Sequence, residues 1–167
     1  MDHPQSAGYS SLQIGLHWLI AALIFFQLVF GESMVAATEA AEEGEALGGT
    51  DAALATAHYW VGLSVLALVA LRFAIRLRQG VPAPIDENPL LVLAAKATHW
   101  LFYALLVVVP VTGLLAVYVN PEVGEIHQLA KPAFVILIVL HAGAALFHHF
   151  VLRDATLRRM LVPAAIK

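Results

Sequence analysis

The chain contains no cysteine. This excludes disulfides, thiolate-held metal ions, cysteine-ligated iron–sulfur clusters and any cofactor attached covalently through a C-x-x-C-H motif. Charge is also scarce: 13% of the 167 residues are Asp, Glu, Lys or Arg, against 60% apolar. A soluble fold of this size needs no such balance, so the solvent for most of the chain is lipid. Nothing before Leu12 is Lys or Arg, and no small-residue cleavage pattern follows, so the first apolar segment is expected to stay as a membrane anchor. With a net charge of −3 and no basic tract, no nucleic-acid partner is expected.

Four runs are long enough to cross a hydrocarbon core of roughly 30 Å, which takes about 20 helical residues: Leu12 to Phe30, Ala57 to Ile75, Trp100 to Val119 and Pro132 to Leu152. The expectation is all-α, a single domain over 1–167 with transmembrane helices at about 12–31, 57–76, 95–119 and 124–152. Pro89 suits a first helical turn, so the third helix starts ahead of Trp100. Pro110 and Gly113 predict a kink within it. The short 3–4 link, about Asn120 to Gly124, makes the last two helices antiparallel neighbours in a four-helix bundle, whose core is a usual place for cofactors.

Eight of the nine basic residues fall in two places. Arg72, Arg76, Arg78 and Lys96 surround the 2–3 link, and Arg153, Arg158, Arg159 and Lys167 lie in the C-terminal tail. Basic loops stay in the cytoplasm, which puts both termini there and the 1–2 and 3–4 links on the periplasmic side of an inner membrane. The 1–2 link, Glu32 to Thr56, carries Glu32, Glu39, Glu42, Glu43, Glu45 and Asp51 without a base, and reads as an exposed, acidic, mobile loop.

Eight histidines in so apolar a chain are the strongest chemical signal, because ionisable groups in a bilayer are costly and usually functional. A single intramembrane histidine has an ordinary use, a hydrogen bond to a neighbouring carbonyl. Several at matched depths point instead to non-covalent haem, which takes two imidazoles from facing helices. Helix four should supply two such ligands. At about 100° and about 1.5 Å per residue, His141 and His148 share a face but differ by only about 10.5 Å in height. His127 and His141 differ by about 21 Å and about 40°, which spaces two macrocycles. His58 matches His127 in depth. His17 matches His148 better than His141 on depth alone, but a ligand at His148 leaves His141 without a role deep in lipid, so spacing favours His17 with His141. A zinc site is the other use of clustered histidines, and it requires ligands that converge on one ion. His3 is given no role, and those of His99 and His149 stay open.

Leu12-Gln13-Ile14-Gly15-Leu16-His17-Trp18, His58 followed by Arg72 and Arg76, Pro110-Val111-Thr112-Gly113-Leu114, Leu140-His141, His148-His149 and Asp154 to Met160 together resemble the bacterial di-haem cytochrome b561 family over nearly the full length. Within it the likeness is to the branch that exchanges electrons between superoxide and ubiquinone. The resemblance implies two b haems with axial ligands at His17, His58, His127 and His141, and none at His148, His149 or His99. Arg72, Arg76 and Arg78 are candidates for haem propionates, Arg78 equally for a simple topological charge, and His148 with Gln13 for a quinone. The expected function is electron transfer from superoxide at the periplasmic side to ubiquinone. The rivals are a module passing quinol electrons to a basic periplasmic redox protein drawn by the acidic loop, and a haem-bearing anchor of a dehydrogenase.

Overall fold

The computed structural model describes residues 8–85 and 88–164; His3 and Lys167, weighed above, lie outside them. Six α-helices follow in order: α1 Ser11–Phe30, α2 Glu32–Glu43, α3 Gly49–Gln79, α4 Pro89–Tyr118, α5 Val123–Gln128 and α6 Ala130–Phe147. Four segments are long and apolar enough to span a membrane: α1, α3, α4 and the run Val123–Leu152, which comprises α5, α6 and a closing π-helical turn. This is the expected all-α four-helix transmembrane bundle.

Local chemistry sets the helix ends. Ser10 and Gln13 form a reciprocal capping box at the start of α1. Asn88 accepts from the Leu90 amide and Pro89 takes the first position of α4. Arg76 and Arg78 occupy the last turn of α3, where cations complement the helix dipole.

The 1–2 link differs from its expectation. Glu32 to Thr56 is not a loop: α2 occupies Glu32–Glu43, ends on Gly44 at φ 71°, and α3 begins at Gly49. Acidity was the wrong guide, because the segment is also rich in Ala and Glu, both good helix formers. Tertiary contacts then hold it, through Ser33 Oγ donating to Asp51 at 3.2 Å and an ion pair between Glu32 and Lys131. With 31 residues, α3 is about 46 Å long and exceeds the hydrocarbon thickness.

Ile20, Val65, Val69, Leu106 and Phe134 form the buried centre, with Val65 and Val69 almost fully enclosed. Outward, Phe25, Leu71, Val108, Ile136 and Leu140 are exposed, at no cost where the surroundings are lipid tails. Trp60 and Tyr118 lie toward one end of the bundle and Trp18 and Trp100 toward the other, as amphipathic rings do at the two interfaces of a bilayer.

The tail folds back over the end that carries most of the bases. Arg153 turns the chain at φ 56°, Trp18 Nε1 donates to the Met160 carbonyl at 2.8 Å, and Arg159 donates to the Ala83 carbonyl at 2.7 Å. Ala164 N donates to the Tyr9 carbonyl at 3.0 Å, so both ends of the described chain meet at this basic end. The acids of α2, with Glu122 and Glu125, gather at the other.

Candidate functional site

Seven histidines fall within the described residues, and five of them meet, His58 with His127 and both His17 and His99 with His141. His58 on α3 faces His127 on α5, with ring centres 6.0 Å apart and planes at 80°. His17 on α1 faces His141 on α6, with centres 6.3 Å apart and planes at 61°. Phe134, 4% exposed, stands between the pairs, seven residues from His127 and seven from His141. At about 100° per residue it shares the α6 face of His141. With Ile20, Val65 and Leu106 it makes an apolar layer separating the pairs.

Both separations fit one iron between two imidazoles. Two metal–nitrogen bonds of about 2 Å, with the depth of each ring added, put the ring centres roughly 6 Å apart. The acidic-end pair opens onto a cavity of about 1060 Å³, at the upper end of the roughly 300–1,000 Å³ typical of small-molecule sites and suited to a large planar group. Gly31, Gly62 and Gly113 line it. A Cβ on Gly113 would stand 3.1 Å from His127 Cε1 and one on Gly62 3.2 Å from Gln27 Nε2, so the glycines leave the room in which these side chains sit. His127 Nδ1 lies 2.9 Å from the Val109 carbonyl. Donating there leaves Nε2 to face the cavity, the usual arrangement for a metal-binding histidine. Among the described residues no group of three or more His, Asp or Glu side chains is arranged to hold a metal ion, so the convergent ligand set of a zinc site is not found there.

The basic-end pair has a different setting. Half-buried Arg72 and Arg76, one turn apart on α3, lie within electrostatic reach of His99, and Arg72 also of His17. Arg72 Nη1 donates to the Gln13 carbonyl at 2.7 Å, and Arg76 stacks over Tyr103. Arg78 is exposed, as a topological charge would be. His99, whose role the sequence left open, has its ring centre 5.4 Å from that of His141 and its Nδ1 2.6 Å from the Ala95 carbonyl. Its placement arises because α4 starts at Pro89, which carries His99 well inside the helix.

Of the two quinone candidates, Gln13 is buried and its amide is engaged: Oε1 accepts from Ser10 N at 3.1 Å and Nε2 donates to the Gly80 carbonyl at 3.0 Å. His148 opens the π-helical turn, and its Nδ1 meets Asp154 Oδ2 at 2.5 Å, leaving Nε2 available. His149 is exposed. Burial tends to raise the Asp154 pKa, but hydrogen bonds from His148 and from the Thr156 side chain and amide outweigh it, and the carboxyl falls from 3.8 to about 2. A depressed carboxylate pKa contributes stability above about 3.8 that is lost as pH falls toward about 2. The tail is therefore expected to loosen over that window, read by Trp18 emission in a background with Trp60 and Trp100 replaced by Phe. Asp154→Asn should give the loosened signal already at neutral pH; an identical acid transition in this variant would remove Asp154 as its cause.

Histidines brought together at two levels of an apolar four-span bundle suit a membrane protein of the electron-transferring class. The prokaryotic cytochrome b561 family matches residues 8–163, and the chain belongs to it, a multi-pass protein of a bacterial membrane in a family that binds haem b. The chain is 37% identical over 164 residues to cytochrome b562 of Cereibacter sphaeroides, covering 95% of this chain and 98% of that one. It is 29% identical over 176 residues to the probable superoxide oxidase CybB of Yersinia pestis, at 92% and 95% coverage. To cytochrome b561 homolog 1 of Escherichia coli K12 it is 27% identical, at 92% and 96% coverage.

Proposed function

We propose that His58 and His127 hold one b haem, that His17 and His141 hold a second, and that the protein carries electrons between a donor at its acidic end and quinone at its basic end. The acidic end faces the periplasm and both termini the cytoplasm, by the distribution of Lys and Arg. The observation that carries this reading is the pair of imidazole separations, 6.0 and 6.3 Å, with Phe134 between them. Haem b in these sites supplies one-electron redox chemistry, and the residues supply binding, orientation and electrostatics.

Each imidazole ligates through one ring nitrogen. Arg72 and Arg76 would hold propionate carboxylates through charge-assisted hydrogen bonds. Their positive charge also favours an added electron at the inner site, while Glu39 and Glu42 on the outer cavity disfavour it there. The Phe134 layer keeps water from joining the two sites. His148, its Nδ1 tied to Asp154, binds a quinone carbonyl and passes a proton through Nε2. Gln13, held by Ser10 and Gly80 at the start of α1, offers at most its remaining N–H.

Likeness to a probable superoxide oxidase supports superoxide as the donor and ubiquinone as the acceptor. A specific observation favours a second reading: Glu32, Glu39, Glu42, Glu122 and Glu125 line the outer cavity against Lys131 alone, which pairs with Glu32. Such a rim attracts a basic redox protein and repels an anion. Stopped-flow reduction by superoxide, with and without quinone, tests the first reading. Failure to reduce either haem would leave the second. Two haems per chain are expected from haem quantification, and one would overturn the central proposal.

Gly113→Ala provides a local test of the outer pair. Its methyl would crowd His127 at 3.1 Å from Cε1 and 3.2 Å from Nδ1, and the ring cannot shift without loosening its bond to Val109. Outer-haem affinity should fall about tenfold, the scale of losing a ligand's orienting bond. Retention of the outer haem during gel filtration measures it; wild-type retention would show that His127 has slack.

A further inference from the structure

Among the described residues, two buried side-chain polar atoms have no hydrogen-bond partner: Oε1 of Gln27 and Nδ1 of His58. Both residues line the outer cavity. The Gln27 amide already lies against His58, with Nε2 donating to the His58 carbonyl at 2.9 Å. Gly31 and Gly62 border the same spot. A Cβ on Gly31 would lie 3.6 Å from His58 Cε1 and 3.8 Å from its Nδ1, and one on Gly62 would lie 3.2 Å from the Gln27 amide nitrogen.

The two imidazoles of this pair are thus treated unequally. His127 has the Val109 carbonyl at 2.9 Å from Nδ1. His58 has nothing bonded at Nδ1, with an unused amide oxygen nearby. A metal-ligating imidazole places a proton on its other nitrogen, and that N–H almost always donates to an oxygen. An N–H left bare in a buried site is costly, and so is a bare amide oxygen. One bond satisfies both groups.

We propose that Gln27 is the positioning residue of the outer haem: its Oε1 accepts a hydrogen bond from Nδ1–H of His58 when Nε2 of His58 ligates iron. The inference rests on His58 being a ligand, as proposed above. The bond fixes the tautomer and ring orientation of His58 and makes the imidazole a stronger electron donor. That stabilises ferric over ferrous iron and holds the outer potential down.

The test is a potentiometric titration of the full-length protein with both haems in detergent, with the low-temperature electron paramagnetic resonance spectrum of the ferric outer haem as a second signature. Gln27→Leu should raise the outer midpoint by about 59 mV, a tenfold change in a one-electron equilibrium. It should also shift the outer-haem resonance and leave the inner midpoint in place. Gln27→Glu, which keeps an acceptor oxygen, should stay at or below the wild-type potential. An unmoved outer midpoint in Gln27→Leu, or the same upward shift in both variants, would overturn the proposal. If neither variant retains the outer haem, Gly62→Ala decides, because its methyl crowds the amide with Gln27 still present: a raised outer midpoint supports the bond and an unchanged one rejects it. His58→Ala in parallel separates the two levels. If it keeps both haems, the ligand assignment falls and this inference with it. If it loses one while Gln27→Leu shifts nothing, only the role of Gln27 is lost.

Discussion

His58→Ala and His127→Ala are each expected to lower the haem content from two per chain to one and to abolish the same spectral component. His17→Ala and His141→Ala should each abolish the other. Paired losses follow because an iron held by one imidazole keeps only part of its affinity, and the rings in each pair sit at the separation of a shared iron. Quantifying haem in the four purified variants, with reduced-minus-oxidised spectra, decides the matter. Two other outcomes are informative for the inner site. Loss of the inner haem in His99→Ala with retention in His17→Ala would make His99 the partner of His141, a placement its 5.4 Å ring separation allows. Loss in His148→Ala with retention in His141→Ala would mean that depth, and not spacing along α6, governs ligation.

Neutralising Glu39, Glu42, Glu43 and Glu45 to Gln should change the rate of electron delivery at the acidic end by about tenfold at low salt, the lower range of electrostatic steering. The sign identifies the partner. Superoxide is an anion and should react faster once the acids are gone, whereas a basic redox protein should react more slowly. The effect should fade as the screening length falls to about 10 Å near 0.1 M salt. Haem content and quinone reactivity should not move, because these carboxylates are exposed on or beyond α2, at the end away from the inner pair. Glu32 is left intact because it holds Lys131 and so ties α2 to α6. Unchanged rates with both partners would show that electrons pass away from α2.

Much of the fold is legible from one-dimensional rules. Pro89 after Asn88 marks the start of α4, and the structure uses both. Acidity misled at Glu32–Glu43, because the ability of Ala and Glu to form a helix outweighed a solvated composition once α3 and α6 offered contacts. Nor could spacing show that α5 and α6 are separated by a turn at Leu129, or that His148 begins a π-helical turn. Gln27 gave no signal at all: a lone glutamine in an apolar run reads as a tolerated polar residue until His58 is seen beside it.

By itself the sequence determined that this chain lives in lipid, crosses it four times, places its bases at one end, and offers histidines rather than cysteines to a cofactor. Those properties are sums over segments: transfer of apolar residues from water and the placement of charge depend on composition and order and hardly on neighbours. Spacing and depth pointed to which histidine faces which, but only tertiary structure, through helix rotation, brought the rings together. His17 and His141 are 124 residues apart and His58 and His127 are 69 apart, and only the packing of α1 and α3 against α4, α5 and α6 around Val65, Leu106 and Phe134 brings their rings to about 6 Å. The same packing turned α2 into the wall of a cavity and left one glutamine oxygen and one histidine nitrogen buried without partners, because burial, which no local pattern records, is what makes an unpaired polar atom matter.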